Sequence, residues 1–511
     1  MTGPTPPAVV PGDPRYEDLI RRGHNPRFAN RPDEIHPVRS TEEVVRVVAD
    51  AVRTGRRIAV RSGGHCGEDF VDNPAVRVLI DMSRMSLVDF DHRRNAFVVE
   101  AGATMEQVYR TLYFGWGVTV PGGVCLSVGA GGHFAGGGFG ALSRSLGTVA
   151  EYIEAVEVVV AGADGEVRAV VATRDPRDPQ HDLWWAHTGA GSGSFGVVTR
   201  YWLRSAAATG DDPARSLPAP PPAIQCDLVM WDWPDLASQD TFVRFMANHG
   251  NWSERNSDPG SSATALHSVL MIPHRSAGKI VLDVQTGTNE PGAEKLADDF
   301  VAALAEGVAE PSLRLRSVRT WWQGMLATTV SKDPIPQDAQ SRAKVKSGYL
   351  RKRFTDEQLA TVHAHLTTAD YAHPEAYLCL VSYGGTANAV APAATSLAQR
   401  DSVLKVLFGV NWTQPDEDAT HLSWVREFYR DVYRETGGVP VPGEVSDGAY
   451  INYADADLAD PAWNTSGVRW HELYHKENYA RLQQVKARWD PGDVFRHELS
   501  VTCPTTTGES R

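Results

Sequence analysis

The chain has 511 residues, is 42% hydrophobic and 22% charged, and carries a formal net charge of −13. That length predicts two or three domains with ample core, and the acidic balance argues against nucleic acid or an anionic membrane as a main partner. No apolar run reaches the roughly 18 residues of a membrane span. The N-terminal MTGPTPPAVVPGDPRYEDL lacks the basic and apolar regions of a secretory signal, and five scattered cysteines do not make a disulfide framework, so a cytoplasmic protein is expected.

Residues 1–30 read as a proline-rich leader with one short helix. Ser40 and Glu43 form a capping box ahead of Val44, Val45, Val48 and Val52 at helical spacing, and Gly55 stops that helix. Arg57–Val60 is a short strand running straight into Arg61-Ser62-Gly63-Gly64-His65-Cys66. Strands are expected at 76–81 and 96–100, a helix at 104–114, a hairpin at 154–161 and 167–172 turning at Ala163-Asp164-Gly165, and a further strand at 197–204. The run DDPARSLPAPPP, residues 211–222, breaks the composition and marks a domain boundary. Beyond it, strands at 223–231, 279–285, 376–383 and 402–411 mix with helices at 240–248, 292–306, 356–367 and 421–436, which suits a sheet covered on one face. A glycine- and proline-rich stretch at 437–443 marks a second break. A closing helix then buries Tyr479, Leu482, Val485 and Trp489. The domains so defined are 1–210, 223–440 and 441–511, in an α+β fold.

The densest signal is Pro121–Gly140, PGGVCLSVGAGGHFAGGGFG, with nine glycines in twenty residues. Glycine is costly to order, so such density points to backbone lying close to something that leaves no room for a Cβ. Cys125 lies inside this stretch; it is either a small buried hydrophobe or a thiol held beside a ligand. His65, after two glycines at a strand end, is either a hydrogen-bonded loop histidine or a nucleophile toward a flavin methyl group, with the Gly63 and Gly64 amides meeting a pyrophosphate. A zinc site built from His65, Cys66, Cys125 and His133 is set aside, because neither CxxC nor HxxxH spacing is present. Gly191–Gly196 matches GxGxxG, but the strand pattern that follows it rejects a dinucleotide-binding fold. Trp231, Trp233, Trp252, Trp321 and Trp322 read as core more readily than as a sugar-stacking platform. Lys344, Lys346, Arg351, Lys352 and Arg353 read as a solvated face.

Taken together, RSGGHC, PGGVC, GGHFAGGGFG, DLWWAHTGAGSGSFGVVT and the closing GAYINYADADLADPAWNTSGV resemble the berberine-bridge-enzyme-like flavoproteins of the vanillyl-alcohol-oxidase superfamily, and most closely their branch that oxidises sugars on antibiotics. The resemblance implies a two-part FAD-binding domain of the PCMH type, formed by the N-terminal and C-terminal segments, around a substrate domain with a large antiparallel sheet covered by helices. It implies FAD bonded through His65 (8α-histidyl) and Cys125 (6-S-cysteinyl). Arg61, Ser62, Gly63, Gly64, Cys66, Gly122, Gly123, Ser127, Gly129, His133, Gly137, Val198, Asn452 and Tyr453 would contact the cofactor. The family's catalytic tyrosines fall on Tyr453, as base, and Tyr383, as positioner or second base. A free phenol titrates near 10, so a base of this kind needs a positive field or a hydrogen bond to lower it. Two departures stand out: Phe139 replaces a usual tyrosine, which puts a second dehydrogenation in doubt, and Ser194 replaces a usual asparagine. The expected activity is oxidation of an alcohol carbon on a sugar or glycosylated metabolite, a small-molecule substrate, with O2 giving H2O2; oxidative cyclisation or C–C/C–N bond formation on a non-sugar product is the alternative. No metal is expected, and an oligomer is compatible with this reading.

Overall fold

Ser40 opens the Thr41–Thr54 helix by accepting the Glu43 N–H at its side chain, and Gly55 closes it in the left-handed conformation at φ 64°. Thr104 and Gln107 form a reciprocal capping box ahead of the Met105–Trp116 helix. Each such cap is worth about 1 kcal/mol, enough to fix where these helices begin. The computed structural model describes residues 7–289, 291–327 and 341–504, and among these fifteen strands form three sheets. The start of the expected proline-rich leader, residues 1–6, lies outside the described residues.

The first two sheets belong to the N-terminal part. Strands β1 (Glu34–Pro37), β2 (Ile58–Arg61) and β3 (Val78–Asp81) make a parallel sheet in the order β1-β3-β2. Strands β4 (Val88–Asp91), β5 (Ala96–Glu100), β6 (Ile153–Ala161), β7 (Val167–Thr173) and β8 (Val197–Leu203) make an antiparallel sheet in the order β4-β5-β8-β6-β7. One continuous core joins them, including Val44, Ile80, Phe97, Val158 and Tyr201, and the C-terminal helix Tyr479–Trp489 adds Leu482, Val485 and Trp489 to it. The chain therefore returns at its end to the domain in which it began.

Between these parts lies the third sheet, all antiparallel. It runs β12-β9-β11-β10-β14-β15-β13, with β9 Ala223–Asp232, β10 Leu266–Pro273, β11 Lys279–Gly287, β12 Leu313–Thr320, β13 Arg342–Leu350, β14 Ala376–Ser382 and β15 Leu404–Trp412. One face packs Val229, Trp231, Leu270, Leu282, Leu378 and Phe408 against the helices Gln239–Arg255, Ala293–Ala305, Asp356–Thr367 and Asp418–Val432. The α+β class, the large helix-covered antiparallel sheet and the two-part flavin-domain architecture are as expected.

Trp231, Trp233, Trp252 and Trp321 are buried, as the core reading holds. The basic run is not a solvated face throughout: Lys344 and Lys346 are buried, since both side chains find carboxylates from distant parts of the chain.

Candidate active site

Two loops build the floor of the site. The first leaves β2 at Arg61 and carries Ser62–Cys66; the second is Pro121–Gly140. They touch through their glycines. A Cβ on Gly63 would lie 2.3 Å from the Gly129 nitrogen, and one on Gly129 would lie 2.0 Å from Ser62 Oγ. Much of the glycine density thus lets the two loops press against each other and against the protein. At Gly132, by contrast, the nearest atom to an added Cβ is Ser192 Oγ at 4.0 Å.

This packing brings the two predicted attachment residues together. His65 Nε2 and Ser127 Oγ are 2.7 Å apart, and Ser127 Oγ lies 3.8 Å from Cys125 Sγ. The His65 ring stacks on His24 at 3.4 Å. Burial, assisted by His24 and His133, holds His65 down at about 3, so its imidazole is neutral and keeps a lone pair at neutral pH. Its surroundings push the adjacent, half-buried Cys66 thiol up to about 12, so it is protonated at neutral pH. His133 Nε2 accepts the Gly123 N–H at 2.8 Å and so shapes the Cys125 loop; burial holds it at about 4. Arg61 is buried and bonded to Asp81 Oδ2 at 3.1 Å, with its Nη1 unpartnered among the described residues. The residues fit a flavin: two nucleophile-bearing side chains share one hydroxyl, beside a glycine loop with open space at Gly132. Val198, on β8, is buried, and the 191–196 turn runs directly into that strand.

A second group of residues stands over Gly136–Phe139. Asn452 donates from Nδ2 to the His133 carbonyl and to Tyr450 Oη, each at 2.9 Å. A Cβ on Gly136 would strike Asn452 Oδ1 at 2.0 Å. Tyr453 packs its ring edge on Tyr450 at 5.3 Å. Burial, with Cys379 and Cys125 nearby, raises the Tyr453 phenol above its ordinary 10. Tyr383, just past β14, donates its hydroxyl to the Gln399 carbonyl at 3.5 Å and packs on Phe139 and Tyr349.

The residue that sequence reasoning missed is Lys405. Its ammonium lies 3.3 Å from the Phe139 ring centroid and 3.4 Å from that of Tyr450, with Tyr349 at 4.7 Å and Tyr383 at 4.9 Å. Burial and the Arg400 guanidinium lower it well below its ordinary 10.5, while the ring faces favour the cation. A signal was present: a lysine alternating among apolar residues in Leu404–Trp412 cannot reach solvent from a buried strand. Tyr450 receives the Asn452 and Gly138 N–H bonds that a phenolate needs, although burial dominates and keeps its phenol high.

Glycine loops, a neutral imidazole beside a thiol, and a phenol cluster define a flavin-dependent oxidoreductase site. The comparisons agree. Residues 32–170 match an FAD binding domain, and residues 449–502 match the family described as berberine and berberine like. The aclacinomycin-N/aclacinomycin-A oxidase of Streptomyces galilaeus is 50% identical over 493 residues, covering 96% of this chain and 89% of that one. The crystal structure of a glycopeptide hexose oxidase complexed with teicoplanin superposes with a TM-score of 0.93 at 48% identity, covering 98% of this chain and 100% of the other. That of CrmK, a flavoenzyme involved in shunt product recycling in caerulomycin biosynthesis, gives 0.94 at 49%, covering 98% and 99%. The protein is an FAD-linked oxidoreductase acting on CH–OH groups. It belongs to the berberine-bridge-enzyme-like family.

Proposed function

We propose that this chain is an oxidase with doubly attached FAD, acting on an alcohol carbon of a sugar or glycosylated secondary metabolite in antibiotic biosynthesis, with O2 as acceptor and H2O2 as product. His65 and Cys125 are the two attachment points. The observation that carries this is their joint approach to Ser127 Oγ, at 2.7 Å and 3.8 Å. The named activities of the relatives support the substrate class.

Bound FAD supplies the hydride acceptor. The chain's own part is to position the carbinol and remove its hydroxyl proton. Tyr453 is the proposed base: it follows Asn452, which is bonded to the His133 carbonyl of the glycine loop, and its ring packs on Tyr450. Tyr383 is a positioner, its hydroxyl being engaged with Gln399. A second reading makes Tyr450 the base, favoured by its two N–H donors and by Lys405 over its ring. Phe139 stands in this cluster without a hydroxyl, so the reading is one oxidation step rather than two.

Acid precipitation tests the attachment: the pellet is expected to stay yellow and to carry the mass of FAD, and a colourless pellet overturns it. A peroxide assay against glycosylated antibiotics and free sugars tests the substrate class. A ring-closed or coupled product, with no new carbonyl, would replace it with the alternative of oxidative bond formation. Tyr453→Phe and Tyr450→Phe read side by side separate the two bases, since only the true base costs the typical 10²–10⁴-fold in rate.

A further inference from the structure

Outside the reaction site, the described residues hold a buried ion cluster that joins three distant segments. Lys344 and Lys346, alternate residues of β13, point to the helix-covered face of the third sheet and are 2% and 1% exposed. Lys344 Nζ bonds Glu68 Oε1, and reaches Asp455 Oδ1 at 2.7 Å. Lys346 Nζ reaches Asp455 Oδ2 at 2.6 Å and Asp457 Oδ2 at 2.8 Å, and Arg426 closes on Asp457 at 2.8 Å. Three cations thus face three carboxylates, and no member is left as an isolated buried charge.

The placement of the carboxylates gives the cluster its meaning. Glu68 is three residues past His65, and Asp455 is two past Tyr453. Glu68 Oε1 also accepts the Ala456 N–H at 3.3 Å, so the loop after His65 and the segment after Tyr453 are bonded to each other as well as to Lys344. The Asp455 N–H donates to Tyr474 Oη at 3.0 Å, which holds the segment from the other side. Asn25 and Arg27 donate to the Ala343 carbonyl at 2.9 and 2.7 Å, and the His24 N–H donates to the Gly64 carbonyl at 2.9 Å, so β13 is tied to the His65 loop by a second route. A sheet that needed only stability would gain as much from apolar residues at 344 and 346.

We propose that Lys344 and Glu68 are positioning residues: their ion pair sets the His65 loop and the Tyr453 segment in register, so that the attachment point and the base meet one flavin at fixed separation. This rests on the proposed roles of His65 and Tyr453. The test is the neutral pair Glu68→Gln/Lys344→Met in the full-length holoenzyme, which removes the bridge without stranding a charge and leaves Lys346 with Asp455 and Asp457. FAD binding and attachment at Cys125 are expected to persist, while peptide mapping shows a reduced fraction attached at His65. Per bound flavin, kcat is expected to fall about tenfold, as for a small misplacement of a reacting group, with KM within about twofold. A lower melting temperature with wild-type kcat and wild-type attachment at His65 would overturn the proposal and leave a structural ion pair. Glu68→Gln alone, which keeps Lys344 on Asp455, is expected to shift the same readouts less, and decides the matter if the double variant does not fold. Tyr453→Phe in the same assays keeps the two ideas apart: full turnover there rejects the base while the mapping at His65 still judges the cluster.

Discussion

Lys405 shows what one side chain can do when four rings surround it. A desolvated cation over an aromatic face is worth about 2 kcal/mol, and here the face at 3.4 Å belongs to Tyr450, whose oxygen already receives the Asn452 amide. The charged form of Lys405, which burial disfavours and the ring faces favour, would stabilise a Tyr450 phenolate. On the second reading, with Tyr450 as base, Lys405→Met is expected to move the rising limb of the pH–rate profile for flavin reduction to higher pH, and to slow reduction about tenfold at neutral pH; an unshifted limb would show that Lys405 does not tune Tyr450. His65→Ala and Cys125→Ala are each expected to retain one flavin bond, read as acid-stable colour and peptide mass. At this scale, the sequence exposed His65, Cys125 and the tyrosine motif because glycine clustering and motif spacing are local. Lys405 was hidden because its surroundings, Phe139, Tyr349, Tyr383 and Tyr450, come from four separate stretches.

The glycine-rich element divides into two kinds of position, and they predict opposite outcomes. A methyl group added at Gly136 would sit 2.0 Å from Asn452 Oδ1, so Gly136→Ala is expected to displace Asn452 and cost activity even in protein that folds. A methyl group added at Gly132 would meet nothing outside its own helix nearer than 4.0 Å, so Gly132→Ala is expected to fold normally but carry less FAD, measured as the flavin-to-protein absorbance ratio; full flavin content would show that no cofactor approaches there. Elements with caps or clean alternation were legible: the Thr41–Thr54 and Asp356–Thr367 helices and β5 fall where expected, within a residue. The Ala130–Ala135 helix was not, since glycine is a poor helix former and half of that helix is glycine or polar. Strands β12 and β13 were missed for a different reason. Arg314 and Arg316 of β12 are paired with Asp227, and the lysines of β13 with Glu68 and Asp455, so charges that look solvent-bound are neutralised by residues far away in sequence.

Over the whole molecule, buried histidines set the response to acid. His187 and His249 are held at about 4, and His267 and His475 at about 3, each chiefly by burial, against an ordinary value of 6.5. Folded pKa values below the unfolded value mean that the unfolded chain takes up protons the native state excludes. Stability is therefore full above about 6.5 and is lost as pH falls toward 4. Asp447, raised to about 6, works in the opposite direction over part of that range, and so do Glu68, Asp72, Asp490 and Glu498, which burial also raises; the imidazoles are shifted further. The melting temperature is expected to fall steadily from pH 7 to pH 4.5, and a flat profile would show that these imidazoles find protons without unfolding. The two-part architecture was legible in the sequence through motifs at both ends. The manner of joining, through Asn452 to His133 and through Glu68 to Ala456, was not, because it depends on contacts between residues more than three hundred positions apart.

That joining has a consequence for biosynthesis of the protein itself. Gly136 and His133 leave the ribosome roughly 15–60 s before Asn452 at typical elongation rates. Throughout that interval the nascent chain owns a cradle but neither Tyr450 nor Tyr453. On the proposed assignment of the base to this closing segment, redox chemistry is withheld until synthesis is nearly finished, and an aborted polypeptide lacks the group that takes the alcohol proton.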